Sequence, residues 1–239
     1  MTLAALSLRL GARAARRELG QRFAFAVLGL AALAVAVVSG LETAAVTSET
    51  SAQRAQSYVL SAAFGLALPL VGFVLAGRLR TNVQSWLTRV EPRHGADRRV
   101  YALGHLGIAL ALSALTGIVI GLLGLVLTRL GSGDAAPKLG FVRNALALVW
   151  VGAAGGAAYA AGFQLATLLG QNWGRAAFLL ADWLLGSGVG ALALPWPRAH
   201  LRALVGGSSV LGAGEWLTSA VLLALALGYT LLYAARIPR

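Results

Sequence analysis

Six stretches of this chain each run for about twenty residues with almost no charge, and in lipid such stretches have few ways to fold. A bilayer core about 30 Å thick takes about 20 helical residues to cross, at about 1.5 Å per residue. Backbone groups in hydrocarbon need partners within the chain, and a helix supplies them. The stretches cover residues 23–41, 58–77, 100–128, 144–169, 176–194 and 216–235. Only 12% of residues are charged and 58% are hydrophobic, far from the charged share of about 25% in soluble domains. The expectation is an all-α, polytopic membrane protein with six transmembrane helices in one transmembrane domain, 1–239. The first stretch follows five arginines and lacks a small-residue cleavage site, so it reads as an uncleaved anchor.

Twenty Lys plus Arg against eight Asp plus Glu give a net charge of +12. These cations flank the apolar runs and are not interleaved with aromatics on a polar surface, which argues against nucleic acid as a partner. Their placement sets an orientation. With six crossings, one side receives five arginines of the N-terminal segment, six of the loop 78–99, then Arg175, Arg236 and Arg239. The other side receives six basic residues: Arg54, Arg129, Lys138, Arg143, Arg198 and Arg202. The excess of basic residues on cytoplasmic loops then places both termini in the cytoplasm. The segment 129–143 runs against that bias, with three cations facing outward.

Three segments outside the spans carry patterns of their own. In 1–22, Leu3, Leu6 and Leu10 recur at helical spacing beside a stripe of Arg9, Arg13 and Arg16, which predicts an amphipathic helix along the inner leaflet. In the cytoplasmic loop 78–99, Val83, Trp86, Leu87 and Val90 fall at i, i+3, i+4 and i+7, the spacing of a short amphipathic helix ended by Glu91-Pro92. Its apolar face can lie in the headgroup zone or in a groove of a partner protein. Residues 195–215 hold Pro195 and Pro197, then a small, moderately apolar string, and predict an external re-entrant hairpin or interfacial helix. Within the spans, Gly117 and Gly121, Gly152 and Gly156, and Gly186 and Gly190 are each four apart, which suits close helix packing inside the chain.

Enzyme chemistry is not written here. The chain has no cysteine and three scattered histidines, so no metal site is expected. It has no phosphate-binding GxxxxGK[ST] loop, no GxSxG and no HExxH. Any ATP-driven work therefore belongs to a partner. The exception to apolar monotony is Asp182, in the fifth stretch. An acid at mid-span costs about 2.5–3.5 kcal/mol on insertion scales, so it should face protein or water. Arg175 on the same helix, and Tyr159 and Gln164 on the fourth stretch, are its candidate partners. A structural pairing and a place in a cargo or proton pathway both fit.

The order of parts resembles the permease subunit of type 2 ABC transporters, the bacterial ABC exporter permease family. That order is a basic amphipathic N-terminal helix, two spans, a basic helical loop, three spans, a proline-bearing external hairpin and a last span. Ser85-Trp86-Leu87-Thr88-Arg89-Val90-Glu91-Pro92 and Arg98-Arg99-Val100-Tyr101-Ala102-Leu103-Gly104 are similar to that family's loop between spans two and three. Where the family often has an acid and a Gly-Thr pair, this chain has Arg80-Thr81-Asn82, and His105 stands at its frequent lysine. The resemblance implies that Val83, Trp86, Leu87 and Val90 dock on a separate ABC ATP-binding subunit, which carries ATP and Mg. It further implies a second permease copy or homologous permease, membrane lipids as surroundings, and the bacterial cytoplasmic (inner) membrane as location. A non-transporting assembly factor or membrane anchor is the alternative. A secondary transporter would need more intramembrane charge or an inverted repeat, which the sequence lacks.

Overall fold

The computed structural model describes residues 3–89, 98–135 and 140–237, and among these every regular element is helical. The elements are α1 (Leu3–Thr43), α2 (Glu49–Ala62), a π-helical turn (Ala63–Ala67), α3 (Leu68–Arg89), α4 (Arg98–Ser132), α5 (Phe141–Leu185), α6 (Pro197–Leu204) and α7 (Glu215–Arg236). Single 3₁₀ turns at Gly133–Ala135, Ala191–Ala193 and Val210–Gly212 punctuate the connections. Five helices are long and apolar enough to cross a membrane, with α2 and α3 counting as one through the π turn.

Two of the long helices are broken, and the breaks shape the molecule. Gly20 has φ 59 and ψ 148, which splits α1 into a short N-terminal limb and a long apolar limb. Leu6 and Leu8 of the short limb stay exposed. Ser7, Gly11, Ala15 and Leu19, each four apart, are buried, while Leu6 stays 41% exposed and Arg9, Arg13 and Arg16 face outward. The buried face crosses α4 at close range: a Cβ on Gly11 would collide with the carbonyl of Tyr101, and one on Gly104 with the carbonyl of Leu8. The expected leucine and arginine stripes are present, but the helix has a third, small-residue face that fixes it to the bundle. An ion pair or hydrogen bond from His105 Nε2 to Glu18 Oε2, 3.2 Å, closes this junction.

In α5, Gly170 (φ −147, ψ 17) and Gln171 (φ 56, ψ −130) leave helical geometry. The chain folds back on itself there. Phe163 meets Phe178 at 4.9 Å between ring centroids, and Tyr159 bonds to Asp182 across the same pair of limbs. Gly174 is pressed against the carbonyl of Ala166, where a Cβ would not fit. Residues 141–169 and 172–185 are therefore antiparallel. The second limb, at about 21 Å for its length, is shorter than a bilayer core.

The expected fifth stretch, 176–194, ends as a helix at Leu185. Gly186, Gly188 and Gly190 follow within five residues, a run that disfavours helix. Beyond it, 195–215 holds one short helix, α6, flanked by 3₁₀ turns, with Pro197, Ala199, His200 and Leu201 buried. The loop helix also differs from expectation: it is the continuation of α3, helical as far as Arg89, not a separate element.

The core lies where α2, α3, α4 and α5 meet. Phe64, Leu68, Leu75, Tyr159, Phe163 and Ile120 are each at most 1% exposed. Gly117 and Gly152 let α4 and α5 touch backbone to backbone: a Cβ on Gly152 would lie 2.5 Å from the carbonyl carbon of Gly117. Gly156 meets the backbone of Ser113 in the same seam, and Gly121 faces the Phe64 ring. Two of the three spaced glycine pairs thus serve packing within the chain. Of the third, Gly186 receives α6, and Gly190 meets nothing.

Candidate functional site

The buried polar centre forms where α5's second limb, α6 and the π turn converge. Trp196 is the residue before α6 and has no side-chain cap to offer the helix's first N–H groups. Pro197 occupies the first helical position, where its missing N–H costs nothing. The next N–H, on Arg198, is free to donate, and Asp182 Oδ1 accepts it at 3.1 Å. Asp182 thus caps α6 from a different helix. Its other oxygen accepts from Tyr159 Oη at 2.9 Å. With the residue 1% exposed and both oxygens bonded to protein, the carboxylate has no wetted face in this conformation.

Arg198 extends the same network into α2 and α3. A proline inside a helix cannot donate to the carbonyl four residues earlier, and for Pro69 that carbonyl is Gly65. The chain responds with the π turn at Ala63–Ala67, and the Arg198 guanidinium donates to the Gly65 oxygen. The same guanidinium lies 5.7 Å from the Trp183 ring centroid. Gly65 is close to the midpoint of the continuous helix Glu49–Leu79, so α6 is bonded to its middle, not to its end.

Aromatic side chains surround the bonds. Phe178 contacts Phe163, Trp196 and Tyr229 at 4.9, 5.5 and 5.8 Å between centroids. Tyr229 of α7 donates to the carbonyl of Pro195. On α6, burial pushes the His200 imidazole below its ordinary value, which favours the neutral ring that donates from Nε2 to the carbonyl of Leu194, 2.8 Å away. Arg202 donates to the carbonyls of Ser187 and Gly188. The segment between α5 and α7 is thus tied down by side chains at almost every turn.

Of the partners expected for Asp182, Tyr159 is correct and Arg175 is not. The Arg175 guanidinium goes instead to the carbonyl of Phe73 at 2.9 Å and to Asn172 Oδ1 at 2.6 Å, over the Phe73 ring. The cause is a gap: Gly77 has no side chain, and the guanidinium fills the space a Cβ would need. Gln164 is 3% exposed but bonds to neither, and its Nε2 has no partner. The α6 backbone as acceptor-seeker was missed, although Trp-Pro-Arg at 196–198 gives a helix start without its own cap. Val83, Trp86 and Leu87 lie in the last turns of α3, with their side chains outside the described part; Val90 lies outside the described residues altogether.

No cluster of three or more His, Asp or Glu suited to a metal ion occurs among the described residues. The bonds around Asp182 and Arg198 tie the second limb of α5, α6 and the π turn to one another. Compared with protein-family models, curated proteins and solved structures, the chain matches none.

Proposed function

We propose that this chain is the permease subunit of an ATP-driven ABC transporter, an exporter. Two copies, or one copy with a homologous permease, form the pathway, and a separate ABC ATP-binding subunit holds ATP and Mg. On this reading the protein sits in the bacterial cytoplasmic membrane with six crossings and both termini inside, and 195–215 forms an external segment dipping into the protein. The reversal at Gly170–Gln171 supports the six-crossing count.

The observation that carries the reading is the run of α3. It continues as helix past Arg78 and Arg80, the charges that end the apolar stretch, to Arg89. Val83, Trp86 and Leu87 therefore sit on a helical extension of the helix whose middle is bonded to α6 at the π turn. A force applied at the cytoplasmic loop has a stiff path to the external segment. No phosphate loop competes for the energy-supplying role within this chain.

The test is isolation of the tagged chain from native membranes. An ABC ATP-binding subunit should accompany it in near-equal amount, and Trp86→Ala with Leu87→Ala should release that subunit while the chain still inserts. Isolation without any ATP-binding subunit contradicts the proposal. A complex that survives the double substitution, with only membrane partitioning changed, favours the anchor reading of the loop.

A further inference from the structure

An apolar groove of about 240 Å³ runs between the long limb of α1 and α3. Ala31 and Val71 form its floor, 6% and 5% exposed, while Leu30 and Leu70 stand beside them, 68% and 44% exposed. At one end it is lined by Ala34 and by Ala67, the last residue of the π turn, and their small side chains leave the space open. From there it runs to Val27 and Val74, a path of about 10 Å along each helix at about 1.5 Å per residue. One turn further along the same faces stand Phe23, four residues before Val27, and Arg78, four after Val74. The Arg78 guanidinium lies 5.5 Å from the Phe23 ring centroid, so it spans the same pair of helices at the mouth of the groove. Arg78 is exposed and has no carboxylate partner among the described residues, and Glu18, on the limb before Phe23, is bonded to His105. We propose that this seam binds one anionic phospholipid of the bilayer, with an acyl chain in the groove and the phosphate at Arg78.

Two observations select this occupant. The first is the order of the parts. A phospholipid is a tail joined end to end with a charged head, and the seam presents aliphatic side chains for the one and, a turn beyond them, a guanidinium for the other, whose fork suits phosphate oxygens. A tail gains no hydrophobic free energy by leaving other lipid for a greasy groove, so the preference rests on fit and on the head. The second is the sign of the charge. The end at which the groove opens carries the five arginines of 1–22 as well as Arg78 and Arg80. A second copy in the same membrane has the same orientation and would bring its own arginines to this mouth, whereas an anionic lipid brings the opposite charge. The seam shares no residue with the bonds of Asp182 and Arg198 and needs no ATPase partner, so this inference and the permease reading stand or fall separately. The proposed orientation decides only that the lipid comes from the inner leaflet.

Detergent-solubilised chain is titrated with phosphatidylglycerol or with phosphatidylcholine of identical acyl chains, and binding is read by native mass spectrometry. Phosphatidylglycerol should bind the more tightly. Arg78→Gln should weaken it about tenfold, the scale of one charge-assisted hydrogen bond, and leave phosphatidylcholine unchanged. Ala34→Phe, which fills the groove from an exposed position, should weaken both lipids. Arg236→Gln, which removes an exposed cation at the same end on α7, should change neither. Melting of each variant separates loss of fold from loss of binding, and the unaltered chain supplies a test without substitution: phosphatidylglycerol with a photoactivatable group in its tail should cross-link mainly within 27–34 and 67–74. The proposal is overturned by equal binding of the two lipids, by an equal loss in Arg236→Gln, by undiminished binding in Ala34→Phe, by cross-links spread evenly over the lipid-facing helices, or by dimers in which the groove is closed to lipid.

Discussion

Replacing Asp182 tests whether it is a cap and a clasp, because two replacements differ in what they leave unpaired. Asp182→Ala strands the Tyr159 hydroxyl and the Arg198 N–H, both buried around a residue 1% exposed. Each unsatisfied donor costs about 1–3 kcal/mol, so a loss of about 2–6 kcal/mol follows. Asp182→Asn keeps the shape: its carbonyl oxygen can take the Arg198 N–H, and its amide can donate to the tyrosine oxygen, which leaves only the rotated hydroxyl proton without an acceptor. One donor is stranded in place of two, a loss of about 1–3 kcal/mol. Unfolding in mixed micelles with a denaturing detergent, followed by helical circular dichroism, measures both. In a cycle with Tyr159→Phe the coupling should reach about 1 kcal/mol or more, while a cycle with Arg175→Gln should be additive within about 0.5 kcal/mol, since those two residues share no partner. An Asn variant as unstable as the Ala variant would refute the reasoning, because it would make the charge, not the cap geometry, the thing that matters.

Three further outcomes follow from the same contacts. Pro69→Ala restores an N–H that can reach the Gly65 carbonyl, so Arg198→Gln should cost about 1 kcal/mol less in that background than in the parent chain; equal costs would mean that Arg198 does not serve the proline gap. Gly152→Ala puts a Cβ 2.5 Å from the Gly117 carbonyl carbon, so α4 and α5 must separate and unfolding should ease by about 1–3 kcal/mol, measured by the same micelle assay. Gly11→Leu should detach the N-terminal limb from Tyr101 and expose it to protease, leaving the long limb of α1 protected; unchanged protease resistance would contradict the docked limb.

The apolar stretches were legible because lipid demands both length and hydrophobicity, and five long apolar helices overlap the six expected stretches, Phe141–Leu185 covering the fourth and part of the fifth. The glycine pairs at 117/121 and 152/156 were legible as packing sites, since only a missing Cβ admits another backbone. What escaped was geometry set between segments. The buried stripe Ser7, Gly11, Ala15 and Leu19 is small and weakly apolar, and the louder leucines and arginines around it dominated the pattern. Asp182 was recognisable as costly, but its choice of Tyr159 and the α6 backbone over Arg175 depends on the turn at Gly170–Gln171, which sets which residues face each other. Arg175 is drawn off by the space at Gly77, a tertiary coincidence without a sequence signal of its own. Pro69 did carry a signal: a proline inside a span leaves Gly65 without its usual donor, and a donor such as Arg198 could have been sought.

The fold-back at residues 170–171 is the claim on which the clasp, the six crossings and the proposed orientation all depend. The chain contains no cysteine, so single cysteines report position directly. Cysteines at Thr47, Arg93, Trp173 and Gly207 should be tested in intact cells with a membrane-impermeant maleimide, with Trp173 chosen because it is 85% exposed beside the turn. The account predicts labelling at 47 and 207 from outside, and at 93 and 173 only after the membrane is opened. Labelling of 173 from outside together with 207 would place both ends of the second limb on one side and contradict the fold-back.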